Sequence, residues 1–287
     1  MVSDRFQVRG RFGSGAYASA TIVVAAMVLG MLAPRDISGS QLLALFLRWL
    51  PSLMRGFAVN VAVSIGALAL GTLIGLLVGA LALQRSGVAR IARLWIQAFR
   101  NAPWLVLIFF TTYVFPFEFT IAGHVVPFPD WLKVIAALAL PASANIAEVF
   151  RGAVQSIPST QWDAAGSLAM SRGQILVLIV LPQCARRMLP PWMNVYAIIT
   201  MGTALSSLVG IHDVLDTAQI ASTTVAHSSF TVLMYMSALA LFFAYCYPVT
   251  LATRAIERRF HAGRVNMARK IKSISPSETS EKGAYRS

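Results

Sequence analysis

The sequence predicts an all-α fold, a polytopic bundle of membrane-spanning helices, and three observations carry that prediction. Apolar residues make up 57% of the chain and charged residues only 12%, where a soluble domain carries roughly a quarter charged residues. The apolar residues gather into six runs, most of them near the ~20 residues that a helix needs to cross a hydrocarbon layer. Arginine and lysine collect at alternate ends of those runs, as they do in loops kept on the cytoplasmic face. The net charge of +13 is therefore a topology signal. The basic residues are not interleaved with aromatics on one soluble face, so nucleic-acid binding is not expected.

The runs are roughly Tyr17 to Ala33, Gly56 to Leu83, Pro103 to Phe117, Trp131 to Val149, Trp192 to Ile211 and Phe230 to Thr253. The first follows a basic leader, residues 1–16, with Arg5, Arg9 and Arg11. Such a leader can also belong to a cleaved signal peptide, but Pro34 directly after Ala33 disfavours cleavage. Residues 17–33 therefore read as a signal anchor and an extra N-terminal span. The second run exceeds a bilayer core at 1.5 Å per residue, so it should tilt or protrude. The third is short and should begin upstream, within the amphipathic stretch Val88 to Phe99. Residues 264–287, closing on a Ser-rich polar stretch, have nothing to bury and read as a disordered tail.

Orientation follows from the basic residues. Arg85, Arg90, Arg93 and Arg100 follow the second run, Arg151, Arg172, Arg186 and Arg187 the fourth, and Arg254, Arg258 and Arg259 the sixth. These segments and the leader belong inside. The alternate segments carry Asp36, Glu118, Asp130, Asp213 and Asp216 with only Arg35, Arg55 and Lys133 as basic groups, and face outward. Both termini are then cytoplasmic. In the second run Ala67, Gly71, Gly75 and Gly79 stack on one helix face, a surface suited to close helix packing within the chain or between subunits.

One segment breaks the apolar pattern. Between the fourth and fifth runs, "AEVFRGAVQSIPSTQWDAAGSLAMSRGQ" is polar and helix-forming. Pro158 should break the preceding helix, Thr160 can cap a new one, and Asp163 completes a capping-box spacing. A short helix over about Gln161 to Ala169 follows. Its Ala164, Ala165, Leu168 and Ala169 give a small-residue surface that could enter a partner's groove. The residues alone equally allow a connecting helix lying on the membrane surface.

"QWDAAGSLAMSRGQILVLIVLPQ" resembles the EAA loop of permease subunits of bacterial ATP-binding-cassette (ABC) importers, with Asp163, Ala164 and Ala165 in the Glu-Ala-Ala positions and Ile179, Leu181 and Pro182 at the later ones. "FRNAPWLVLIFF" is similar to a core-helix start of polar-amino-acid permeases, keeping Arg100 and Pro103. "AEVFRGAVQSIPSTQ" keeps Ala147, Glu148, Arg151, Gly152, Ser156, Pro158 and Gln161 of a second family motif. "LPQCARRMLPPWMN" and "TALSSLVGIHD" also resemble that subfamily. The chain departs from the pattern at Asp163 for Glu, Ala169 for Gly, Thr160 for Gly, and Met201 and Ala204 for Lys and Ser. Ala in place of Gly at 169 disfavours a left-handed backbone there.

The resemblance implies a five-helix type I importer core over residues 53–255, its loop at about 151–189, plus the extra first helix. It implies an inner-membrane, multi-pass permease for polar amino acids or close derivatives. Gln161, Asp163, Ala164, Ala165, Leu168 and Ala169 would dock ATPase subunits that bind ATP and magnesium. A second permease copy or paralogue and a periplasmic or lipid-anchored binding protein would complete the assembly.

The remaining candidates are read from the residues. Glu148 and Arg151 are three apart on one helix and can pair at the inner boundary. Asn60, Ser64, Asn194, Thr203 and Ser206, with Asn145, Tyr196, Thr200 and Ser207, are polar groups within spans that need partners. The first five are candidates for a translocation path, with interhelical bonding as the alternative. Cys184 and Cys246 read as small buried hydrophobes. His124, His212, His227 and His261 are too scattered for a metal site and read as solvated. No nucleophile-base pairing and no G-x-x-x-x-G-K-[ST] loop occurs in the sequence, so no cofactor is expected in this chain and the energy should come from another. A secondary transporter or channel, or a non-transporting scaffold, are the alternative classes. The first should carry ionisable residues at mid-membrane or inverted repeats.

Overall fold

The computed structural model describes residues 38–84, 86–121 and 124–274. The leader, the first expected span, Arg85 and residues 275–287 lie outside these. The described chain runs through α1 (Gly39–Ala82), α2 (Gly87–Asn101), α3 (Trp104–Val114), a hairpin of β1 (Glu118–Ile121) and β2 (His124–Pro127), α4 (Asp130–Gln155) and α5 (Ser159–Ser167). A single turn Arg172–Gln174, a π segment Ile175–Val180, α6 (Leu181–Gly202), a 3-10 segment Thr203–Val209, α7 (Val214–Val225) and α8 (Ser228–Ile274) follow. Four helical stretches, Gly39–Ala82, Asp130–Gln155, Arg172–Val209 and Ser228–Arg258, are long and apolar enough to cross a membrane.

Several boundaries differ from the expected ones. α1 begins well before Gly56 and runs 44 residues with Pro51 inside. Leu, Ala and Phe residues carry the helix through the proline, which costs one hydrogen bond without ending it. The expected third span is two helices. Pro103 disfavours helix at Ala102, so α2 stops at Asn101 and α3 restarts at Trp104 for only 11 residues, about 16 Å at 1.5 Å per residue. The hairpin was not anticipated. Its antiparallel register pairs Glu118 with Pro127 and Phe119 with Val126. The sixth span continues as helix to Ile274, so residues 264–274 are helical where a disordered tail was expected. Lys, Arg and Ala in "HAGRVNMARKIKSI" are good helix formers that let α8 extend past its apolar part.

The chain divides into two compact units. One holds the described residues up to Gly71, Asn101–Pro141 and Ile199–Tyr245. Its core is Leu53, Phe57, Val214, Ala218, Phe230 and Met234 with their neighbours, and Phe57 meets the rings of Phe242 and Tyr245 edge-on at 5.5 and 5.8 Å. The same unit buries Lys133 completely. Its Nζ donates to the Thr112 carbonyl at 3.2 Å, pairs with Asp130 at 3.1 Å and lies 3.7 Å over the Phe117 ring. A cation among the last carbonyls of α3 is favoured by the helix dipole and by the ring's quadrupole.

The other unit holds the described residues of Thr72–Arg100, Ala142–Ile198 and those from Cys246 on. Here part of the small-residue face of α1 packs within the chain. A side chain at Gly75 would place its Cβ 2.7 Å from the Ser143 carbonyl oxygen and 2.9 Å from Ile146 Cβ. At Gly79 the Cβ would stand 2.9 Å from Phe150 and 3.0 Å from the Ala147 carbonyl oxygen. α2 adds Ala89, Ala92 and Ile96 on its buried face, of which Ala92 and Ile96 cluster with Ala82 and Ala147. Without water to expel between helices, the gain comes from such close backbone approach. Gly75→Leu should therefore lower the detergent-solubilised melting temperature steeply, a loss on the order of 2–3 kcal/mol. Gly152→Ala, with nothing within 4 Å of the added carbon, should raise it through a stability gain of about 0.5–1 kcal/mol. Thermal unfolding followed by size-exclusion chromatography reads both.

Candidate functional site

The segment that breaks the apolar pattern folds as a two-faced helix. Pro158, at φ −57 and ψ 142, already holds the φ of a helix start, and α5 begins directly after it at Ser159. Thr160 consequently lies inside the first turn, and the capping box expected of Thr160 and Asp163 does not form; no side-chain bond caps α5. The box forms further on. The Ser171 hydroxyl accepts from the Gln174 N–H at 3.3 Å, while the Gln174 side chain accepts from the Ser171 N–H at 2.8 Å.

α5 ends at Ser167, two residues before the expected Ala169. The Leu168 and Ala169 N–H groups turn back to the carbonyls of Ala165 and Gly166 at 3.1 and 2.9 Å. Ala169 sits at φ 58, the left-handed conformation that its methyl group disfavours by about 1 kcal/mol. The turn that glycine would make easily is kept here with alanine.

The faces of α5 sort the expected docking residues. Gln161, Asp163, Ala164, Leu168 and Ala169 are exposed, Leu168 at 76%. Ala165 is not available to a partner: it is 2% exposed and belongs to a core with Phe150, Val154, Ile157, Ile175 and Cys184, and Trp162 packs against the same core. The sequence offered no periodicity long enough to separate the two faces of a nine-residue helix. The base of the loop is tied by Arg187, which donates to the carbonyl and the hydroxyl of Ser156, both at 2.7 Å. Above it the expected pair is present: Arg151 Nε donates to Glu148 Oε2 at 3.0 Å, a second guanidinium N–H to Oε1, and another to Gln155 at 3.0 Å.

In the other unit three of the five path candidates meet around a residue that sequence reasoning did not single out. Asp213 is fully buried and caps α7, accepting from the Asp216 N–H at 2.9 Å. Its second oxygen accepts from Ser206 Oγ at 2.8 Å and Asn60 Nδ2 at 3.2 Å. Asn60 also donates to Thr203 and accepts from the Val214 N–H at 3.1 Å. Asn60, Thr203 and Ser206 thus join α1, the 3-10 segment and α7. Ser64 is buried and donates to its own helix at Val61, 2.8 Å away. Asn194 lies in the unit of α5 and is exposed. The open space of the Asp213 unit, a cavity of about 520 Å³, is lined by Val59, Ala62, Val63, Ile135 and Ile211 with Asp130 and His212; neither Asn60 nor Ser64 faces it. A signal for Asp213 existed in the spacing Asp-x-x-Asp before an apolar helix, but its burial depended on Asn60, 153 positions away.

Cys184 and Cys246 are buried free thiols, as expected. His212 is exposed and pairs with Asp216 at 2.8 Å. Among the described residues no group of three His, Cys, Asp or Glu could hold a metal.

The family model for the binding-protein-dependent transport system inner membrane component matches residues 71–262. The probable glutamine ABC transporter permease protein GlnP of Bacillus subtilis is 30% identical over 210 residues, 71% of this chain and 91% of that protein. The octopine transport system permease protein OccM of Rhizobium radiobacter is 31% identical over 67% of this chain and 78% of its own length. An amino acid ABC transporter crystallised with histidines has the same fold, with TM-score 0.65 and 22% identity over 75% of this chain and 96% of that one. The methionine ABC transporter MetNI, in an inward-facing form, gives TM-score 0.58 and 18% identity over 73% and 96%.

Burial pushes the Asp213 carboxyl up, against the opposing pull of its donors Asp216, Ser206, Asn60 and Leu215. The folded chain therefore binds a proton that the unfolded chain releases. The contribution of this carboxyl to stability is greatest below the ordinary value of 3.8, falls as pH rises to the raised folded value, and is level above it, opposite in sign to that of Glu148, which Arg151 holds in its charged form. Asp213→Asn keeps a capping oxygen and should remove that contribution, so that a melting-temperature series across acidic pH rises more steeply with pH than in the wild type. Ala165→Arg should instead unfold the loop itself, since a buried unpaired cation costs several kcal/mol; protease cleavage between Ser156 and Ser171 reads this.

Proposed function

This chain belongs to the family of binding-protein-dependent transport system inner membrane components, and from that membership we propose that it is the permease subunit of an ABC importer for polar amino acids or close derivatives, driven through α5. Named relatives carry glutamine or octopine, which supports the substrate class. The solved neighbours are ABC transporters for amino acids, which supports ATPase subunits as partners, with ATP and magnesium held by those subunits and no covalent chemistry in this chain. A second permease copy or paralogue and an external binding protein complete the assembly. The basic segments set the orientation, with α5 and both termini on the cytoplasmic side of the inner membrane.

The observation that carries the reading is the division of labour on α5. Ala165 and Trp162 are turned into the core of the unit the helix must move, while Gln161, Asp163 and Ala164, and Leu168 at the C-cap, are exposed around it. A fixed helix that exposes small, apolar and acidic side chains can enter a groove lined by apolar and basic groups. Closure of two ATPases on ATP would carry the two such helices together and switch the spans between inward-open and outward-open, a rigid-body form of alternating access.

In vesicles holding the whole importer, Ala164→Arg should reduce ATPase co-purification and substrate import by roughly ten-fold or more. The melting temperature of the permease should stay at the wild-type value, because Ala164 is exposed. Import at the wild-type rate by Ala164→Arg vesicles would remove α5 from the coupling path. Transport that persists without ATP would point to a secondary carrier.

A further inference from the structure

α2 presents three different surfaces along its 15 residues. Successive residues of a helix stand about 100° apart, so Ala89, Ala92 and Ile96 share one side, and that side is buried. Val88, Ile91 and Leu94 fall on a second side, within an arc of about 120°. All three are exposed, Ile91 at 69% and Leu94 at 59%. Arg90, Arg93 and Arg100 fall on a third side, within about 80°, and are exposed as well. No Asp or Glu occurs between residues 83 and 117, so these charges have no acidic neighbour in their own stretch of chain.

The contacts of the buried side set the depth of the helix. Ala92 and Ile96 cluster with Ala82, the last residue of α1, and with Ala147, directly before Glu148. The Arg93 guanidinium stands 3.5 Å from the Ala82 carbonyl oxygen, and Arg100 is within electrostatic reach of Glu148. Both ends of the basic side are thus tied to the level where α1 stops and the Glu148–Arg151 pair begins. Trp95 lies between them and donates from Nε1 to Ser143 Oγ at 3.1 Å, an amphipathic ring of the kind that favours a membrane boundary. A helix that sets an apolar side against a basic side at this level has the form of one resting in the interface between acyl chains and headgroups.

We propose that the exposed part of α2 is a binding surface for anionic phospholipids of the cytoplasmic leaflet. Headgroup phosphates are received by Arg90, Arg93 and Arg100, and acyl chains lie along Val88, Ile91 and Leu94. Charge and apolar area adjoin on the helix as phosphate and acyl chain adjoin in the lipid, which selects this occupant over a protein groove. Arg90 and Arg100 are about 15 Å apart along the axis, so the surface takes more than one headgroup. The proposal rests on the reading that sets the arginine-rich segments on the inner side.

The test titrates the detergent-solubilised whole importer with pyrene-labelled phosphatidylglycerol and, separately, pyrene-labelled phosphatidylcholine, with binding read by energy transfer from tryptophan. One arginine against an anionic lipid is worth about five-fold in affinity. The wild type should bind phosphatidylglycerol more tightly than phosphatidylcholine. Arg90→Gln should weaken phosphatidylglycerol by about five-fold and leave phosphatidylcholine unchanged, and Arg90→Lys should restore the preference. Arg172→Gln, which removes an exposed charge from the loop instead, should change neither. Equal binding of the two lipids by the wild type overturns the proposal, as does an equal loss in Arg172→Gln. Tighter lipid binding by the permease alone than by the whole importer would give the surface to the ATPase and overturn it as well. Both native thiols are buried, so Arg90→Cys reports the side of the membrane through an impermeant maleimide. Labelling from the outer side would sink the orientation and the cytoplasmic leaflet with it; the titration in detergent does not depend on orientation, so the two failures are told apart.

Discussion

A nine-residue helix has little stability of its own in water, because the cost of its first turn is spread over few hydrogen bonds. α5 is held instead by the burial of Ala165, with Trp162 beside it, against Phe150, Val154, Ile157, Ile175 and Cys184. This packing fixes α5 on the core of its own unit, as the proposed docking role requires. Arg187 on Ser156 and the Ser171–Gln174 box close the two ends of the same loop.

Several charged groups elsewhere find partners inside the protein, as lipid requires of buried polar groups. Glu148 and Arg151 do so as a two-bond pair, Lys133 through a carbonyl, a carboxylate and a ring, and Asp213 through Asn60, Ser206 and the start of α7. The Asp213 network uses up the hydrogen-bonding capacity of residues that the sequence offered as lining for a path. In this conformation they serve the architecture of their unit, and the cavity beside them is walled by apolar side chains of α1, with Asp130 and His212 at its lining.

Four of the six expected spans, the family and the place of the loop in the chain were legible because each depends on local composition or on fixed spacing. The break at Pro103 was also written locally, yet it was read as the start of a span, since the amphipathic stretch before it suggested continuity. Which side of α5 faces inward was not legible: Ala164 and Ala165 are identical residues, and only the distant Phe150 and Cys184 distinguish them. Asp213 was hidden for the same reason, as its partner Asn60 is on another helix. The left-handed Ala169 shows the limit of propensity arguments, because the capping carbonyls around it impose a backbone that alanine alone would avoid.

The central claim is that the exposed face of α5 meets an ATPase on the cytoplasmic side. Both native thiols are buried, so a single new cysteine at the exposed Ser167 can be labelled selectively. With a membrane-impermeant maleimide, Ser167→Cys should react in inside-out vesicles, stay unreacted in right-side-out vesicles, and become protected when the ATPase subunits are present. Labelling from the outer side, or equal reactivity with and without the ATPase, would contradict the account.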